Sequence, residues 1–129
     1  MKVWRVEHST ANGWCAPLGP YRTSYSALPI KDREILHGMG RSHADGTHRA
    51  PGLDPDIRYI DADEVCGLDS REALDTWFQG WHTELERTGF MVSVYEVPTK
   101  SVRCGSNGQV VFKAHAAVRV GAEFWEVVQ

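Results

Sequence analysis

The order of elements is set by residues 69–97, DSREALDTWFQGWHTELERTGFMVSVYEV, where a helix pattern runs directly into a strand pattern. Apolar side chains recur in its first part at helical intervals: Leu74, Trp77, Phe78, Trp81 and Leu85. This period predicts one long amphipathic helix over about residues 70–88, with its aromatic stripe in the core. Asp69 and Glu72 have capping-box spacing at its start, and Gly89 stands where a left-handed stop is expected.

Strand patterns account for much of the remaining sequence. The first is Val3–His8, which alternates apolar and polar side chains, and the strongest is Phe90–Val97. The segments after it that also read as strands are Ser101–Cys104, Gln109–Ala114, His115–Val120 and Glu123–Val128. The Asn107-Gly108 pair between two of them is typical of a hairpin turn.

Three segments separate the first strand from the long helix. Residues 9–29 are rich in turn residues, residues 31–36 fit one or two helical turns, and residues 37–57 predict a long irregular loop. The acidic run over 54–64 is typical of a solvated edge. Because sequential strands joined by tight turns pair antiparallel, we expect one α+β domain over 1–129, mainly an antiparallel sheet with one long helix packed on it.

Composition and charge restrict the classes of function that the protein can have. The 129 residues are 42% hydrophobic and carry a net charge of −3, so a protein that tracks nucleic-acid phosphates is disfavoured, although a local basic patch stays possible. The charged start and the lack of a long apolar run predict a cytoplasmic protein without a membrane segment.

Cysteine and histidine spacing give no support for a metal site. Cys15, Cys66 and Cys104 form no C-x-x-C pair, which favours free thiols in a reducing compartment. His37 and His43 lie close to His48, but their spacing matches no zinc signature, so we expect no metal.

Several polar residues are candidates for a binding site, each with a structural alternative. Arg5 offers a rigid fork of donors for phosphate or carboxylate, or it pairs with a nearby acid such as Glu7. Tyr21 could stack on a base or cover the core. His48 and Asp54 could hydrogen-bond ribose hydroxyls or cap turns.

Two further candidates are catalytic. His8 ends the first strand beside a Gly-Pro-Tyr loop that could wall a cleft, and Gln109 stands at a junction of turn and strand where polar catalytic residues are common. A solvated edge is the alternative for Gln109.

The order of elements resembles small ADP-ribosyltransferase-type domains, and also short proteins of phages and actinobacteria. Val3-Trp4-Arg5-Val6 resembles the family's first strand, and Cys66–Ser70, entering a helix with Trp77-Phe78, resembles its middle segment. Val92–Val97 and Gln109–Phe112 resemble its later strands.

The resemblance implies a protein that binds an NAD-type nucleotide, either as an NAD-dependent ADP-ribosyltransferase-like transferase or as a degenerate relative of one. Arg5 would clamp the diphosphate, Tyr21 would stack, His8 would bond the ribose, and Gln109 would orient the acceptor. The sequence lacks the family's Ser-Thr-Ser triplet, and the strand that begins at Gln109 lacks its E-x-E or Q-x-E pair, so that Gln109 stands where an acid is expected. These departures imply altered chemistry, or nucleotide binding without turnover.

The alternative is a non-enzymatic phage or bacterial protein that binds a host protein. Its basis is the aromatic content outside the helix: Trp4, Trp14 and Trp125. The final strand pattern could also pair edge to edge and form a homodimer.

Overall fold

A computed structural model describes residues 1–126 of the chain. Its strands are β1 Lys2–His8, β2 Glu64–Leu68, β3 Phe90–Glu96, β4 Val102–Cys104, β5 Gln109–Lys113 and β6 Val118–Glu123. Its α-helices are α1 Ile30–Ser42, α2 Arg71–Trp77 and α3 His82–Arg87. Short 3-10 turns lie at Pro51–Leu53, Thr99–Ser101, Ser106–Gly108 and Ala114–Ala116.

The six strands form one sheet in the order β4-β5-β2-β1-β3-β6, and each neighbouring pair is antiparallel. This arrangement confirms the α+β class. The hairpin turn is confirmed as well, because Asn107 and Gly108 have φ of 56° and 81° between β4 and β5.

The sheet buries both of its faces. One face packs against the helices, and its core includes Val6, Leu74, Leu85 and Val92. The other carries a smaller cluster of Val3, Val97, Val110 and Phe112. Tyr95 on β3 and Phe112 on β5 have ring centroids 5.9 Å apart, although three strand spacings would separate them by about 14 Å in a flat sheet. The sheet therefore curls around this second cluster.

The predicted long helix is divided in two. α2 ends at Trp77 and α3 begins at His82, and between them Gly80 has φ of +86°, which a continuing helix does not allow. The cap is also displaced by one residue, because Ser70 accepts a hydrogen bond from Ala73 N and Asp69 does not serve as N-cap. The apolar stripe of both helices still faces the core. Gly89 has φ of +91°, as the left-handed stop required.

The helix before the loop is longer than its sequence pattern indicates. α1 continues to Ser42 and so takes up the first part of the predicted 37–57 loop. Leu36 and Met39 lie three residues apart and are both buried, so core packing outweighs the low helix propensity of Gly38 and Gly40.

The last strand lies earlier in the chain than the Glu123–Val128 segment that the sequence predicted. β6 ends at Glu123, and residues 124–126 are not in a strand because Trp125 turns into the core and donates from Nε1 to Phe90 O at 2.8 Å. Val127 and Val128 of that prediction lie outside the described residues. In residues 1–126, no helix has the length and apolarity that a bilayer span requires.

Candidate functional site

Arg5 is built into the sheet. It is 8% exposed, and its three side-chain nitrogens donate to Glu7 Oε1, Cys66 O and Pro17 O at 3.1, 2.7 and 3.0 Å. β1 pairs with β3 over seven residues but with β2 only at Trp4↔Leu68. The guanidinium therefore serves backbone carbonyls where β2 separates from β1, and its ion pair with Glu7 is the structural alternative that the sequence allowed.

Glu7 completes this buried network. Its side chain is 2% exposed, and its second oxygen accepts from Tyr95 OH at 2.7 Å. Burial first, and the carboxylate of Glu7 second, raise the pKa of Tyr95, which holds the phenol in its donating form.

The His8 side chain holds the C-terminal end of β1 through hydrogen bonds to two neighbouring segments. Its Nδ1 accepts from the backbone N–H groups of Thr10 and Ala11 at 3.1 and 2.9 Å, so the proton sits on Nε2, which donates to Thr88 O at 3.1 Å. A side chain at Gly89 would place Cβ 2.7 Å from this Nε2. His8 is therefore enclosed, with both ring nitrogens occupied by backbone groups.

Tyr21 joins a cluster of aromatic and titratable side chains on the helical side. Its hydroxyl accepts from Trp77 Nε1 at 2.9 Å and donates to His43 Nδ1. Burial, together with the neighbouring His48, lowers the pKa of His43 to about 4, so this ring is neutral near pH 7 and able to accept. Burial also raises the pKa of Tyr21, against the smaller effect of the Trp77 donor.

His48 stacks on His43 with ring centroids 3.9 Å apart and planes only 2° from parallel. Its Nε2 faces Trp77 O at 2.7 Å, and its Nδ1 faces both oxygens of Asp45 at 3.1 and 3.2 Å. These contacts hold the 43–48 turn against the C-terminal end of α2.

An open cleft of about 480 Å³ lies beside this cluster. Its lining comes from the 47–48 turn, from α2 and its cap, and from the β4–β5 turn: Thr47, His48, Ser70, Glu72, Ala73, Thr76, Trp77 and Asn107. Asn107 Nδ2 donates to Thr47 O at 2.9 Å and ties the β4–β5 turn to the 43–48 turn.

Asp54 and Gln109 form a separate buried pair. Asp54 is 0% exposed and accepts from Ser106 N, Ser106 Oγ, Asp56 N and Gln109 Nε2. Burial alone would raise the pKa of Asp54, but hydrogen bonds led by that from Ser106 lower it below its usual value. Gln109 Nε2 also donates to Arg49 O at 2.9 Å, next to His48 in sequence.

The six candidates thus fall into four groups. Tyr21 and His48 meet through Trp77, Asp54 contacts Gln109, and Arg5 and His8 lie in separate backbone networks. Sequence reasoning named His43 only as a metal candidate and Trp77 only as core. The two histidines five residues apart were the available signal, but nothing in the pattern indicated that Tyr21 would join them. Among residues 1–126, no group of three or more His, Cys, Asp or Glu is placed to hold a metal ion.

The fold defines an α+β protein that is built on a six-stranded antiparallel sheet and contains several buried hydrogen-bond networks. A family profile described as Bacteriophage T4 Y00F protein matches residues 1–126, and the chain therefore belongs to that phage protein family. No curated protein and no solved structure matches it. The family agrees with the resemblance to short phage proteins and gives no support to the resemblance to ADP-ribosyltransferase domains.

Proposed function

We propose that this phage-family protein acts without catalysis, by binding another protein through aromatic side chains on segment 9–29. The observation that carries this proposal is Trp14, which is 90% exposed at the tip of a tight turn. Tryptophan and tyrosine are enriched among the residues that dominate binding energy at protein interfaces.

The turn that carries Trp14 is anchored. Asn12 and Pro17 form an isolated antiparallel bridge, and Gly13 N donates to Ala16 O at 2.8 Å. Below the tip, Leu18 is buried and its carbonyl accepts from His8 N at 2.8 Å. A tip held in this way loses little conformational freedom on binding, which favours affinity.

Tyr25 supplies a second exposed ring on the same segment. Its side chain is fully exposed, while the chain around it is held by Ser26 Oγ donating to Thr23 O at 2.6 Å and by Arg33 donating to Ser24 O at 3.0 Å. Leu28 buries its side chain a few residues later. Two rings are thus presented by a segment attached to the core at both ends.

We expect Trp14→Ala to weaken a specific complex by about 30-fold or more, as loss of a hot-spot side chain does. Immobilised full-length protein and the Trp14→Ala, Tyr25→Ala and Leu53→Ala variants are each exposed to lysate of phage-infected bacteria. A retained protein is identified and purified, and its affinity for each variant is measured by calorimetry. Leu53, 77% exposed on another segment, is the matched control.

A partner that binds wild type and Leu53→Ala equally, and Trp14→Ala much more weakly, supports the proposal. Equal affinity for wild type and Trp14→Ala contradicts it, and so does the absence of any stoichiometric partner.

A second candidate function is binding of an NAD-type nucleotide at the cleft beside His48. The feature that favours it is the assembly of Tyr21, His43, His48 and Trp77 beside polar groups suited to ribose hydroxyls. Each side-chain nitrogen of Arg5 already has an acceptor within the protein, so a diphosphate would have to bind without help from Arg5. Because Gln109 carries no charge, this candidate is a binder that does not turn NAD over.

Millimolar NAD is then expected to raise the free energy of unfolding by about 2.7 kcal/mol if its concentration is 100 times Kd. Thermal unfolding with and without NAD measures this for wild type, His48→Ala and His115→Ala, whose ring is exposed away from the cleft. Stabilisation that is lost only in His48→Ala supports the nucleotide site. An unchanged melting temperature in wild type excludes it.

A further inference from the structure

We infer that an acidic groove between α3 and the end of β6 binds a partner segment in which an arginine or lysine adjoins an apolar residue. The groove has a volume of about 330 Å³. Its lining consists of Glu86, Phe90, Met91, Glu123, Phe124, Trp125 and Glu126. None of these residues belongs to the aromatic segment 9–29, so the inference is independent of the function proposed above.

The apolar part of the groove is fixed by the core. Phe90 and Trp125 are 2% and 6% exposed, and the indole of Trp125 is locked by its hydrogen bond to Phe90 O. Phe124, in contrast, is 83% exposed at the same place. A rigid apolar base with one exposed phenyl ring suits an aliphatic or aromatic side chain of a partner.

The charged side chains that line the groove are all acidic. Its lining holds three carboxylates and no lysine or arginine. Glu123 accepts from Trp4 Nε1 and Arg71 Nη1 at 3.0 and 3.2 Å, whereas Glu86 and Glu126 are exposed and have no ion pair among residues 1–126. Arg119 approaches Met91 Sδ at 3.9 Å, but it donates to Ser93 Oγ and does not line the groove.

The charge of its lining decides which partner the groove can accept. Complementary charge attracts a cationic segment and rejects an acidic one. A guanidinium or ammonium between Glu86 and Glu126 therefore explains why uncompensated carboxylates stand beside exposed apolar surface.

The test uses nuclear magnetic resonance of the full chain with ¹⁵N-labelled tryptophan. The probe is acetyl-Ala-Arg-Leu-Arg-Ala-amide, and the same peptide with glutamate for arginine is its counterpart. The indole N–H signal of Trp125 reports on the groove, and that of Trp14 reports on a distant exposed surface. We expect the arginine peptide to shift the Trp125 signal in a saturable manner.

The double variant Glu86→Gln, Glu126→Gln is expected to weaken this binding about three- to tenfold, since each exposed ion pair contributes modestly. Glu34→Gln, an exposed change on α1, should leave it unaltered. A Trp125 signal that neither peptide moves overturns the inference. Equal shifts from both peptides, or binding that is insensitive to the double variant, overturn it as well.

Discussion

Arg5→Ala is expected to lower the free energy of unfolding by about 3–5 kcal/mol, because it leaves the carboxylate of Glu7 buried without its cation. The same change strands Cys66 O and Pro17 O, which the guanidinium serves at the point where β2 leaves β1. Urea unfolding followed by circular dichroism measures the loss, with an unchanged m-value as the sign that the folded state keeps its compactness.

Two further variants assign the cause of that loss. Lys2→Ala, an exposed change on the same strand, should cost less than about 0.5 kcal/mol. Adding Glu7→Gln to Arg5→Ala should recover part of the stability, because the stranded charge is then removed. A cost below about 1 kcal/mol for Arg5→Ala would show that the contacts of Arg5 with Glu7, Cys66 and Pro17 are not needed for the fold.

Three features of the β-sheet could be predicted from sequence because their signals are local, whereas the central strand β2, Glu64–Leu68, was not among the strands that the pattern predicted. Alternation along Val3–His8 and Phe90–Val97 and the Asn107-Gly108 turn each reflect short-range backbone preferences, and the structure agrees with all three. The long helix was predicted as one element because the apolar period continues across residue 80. The left-handed conformation of Gly80 interrupts the backbone without disturbing which side chains face the core.

The candidate site depends on contacts between distant segments, which periodicity does not report. Tyr21 reaches Trp77 across 56 residues, and Gln109 reaches Asp54 across 55. The residue types were recognised as polar groups that need partners. Whether each partner would be a ligand or another part of the chain is decided by the tertiary fold, and Arg5 shows the second outcome most clearly.

Asp54→Asn is the second change with a large expected effect, about 2–4 kcal/mol of lost stability, since it replaces a buried acceptor that serves four donors. An amide nitrogen in place of Oδ2 would face both Ser106 N–H and the Gln109 amide, and one in place of Oδ1 would face Asp56 N–H, so that in either orientation donor meets donor. Close packing leaves no room for adjustment, because a Cβ on Gly105 would already collide with the Asp54 carboxylate and come within 2.5 Å of Ile57 Cδ1. Chemical unfolding measures the loss, and Asp56→Asn, an exposed neighbour, is the control.

The pH dependence gives this prediction a second readout. Because the pKa of Asp54 is lower in the folded chain than in the unfolded one, its ionised form stabilises the fold above the unfolded pKa of about 4. That contribution disappears as the pH falls and the carboxylate becomes protonated. The stability of wild type should therefore decrease more steeply than that of Asp54→Asn on acidification below pH 4. Parallel curves, or an Asn variant as stable as wild type, would mean that Asp54 is not needed for the fold and is available to a ligand.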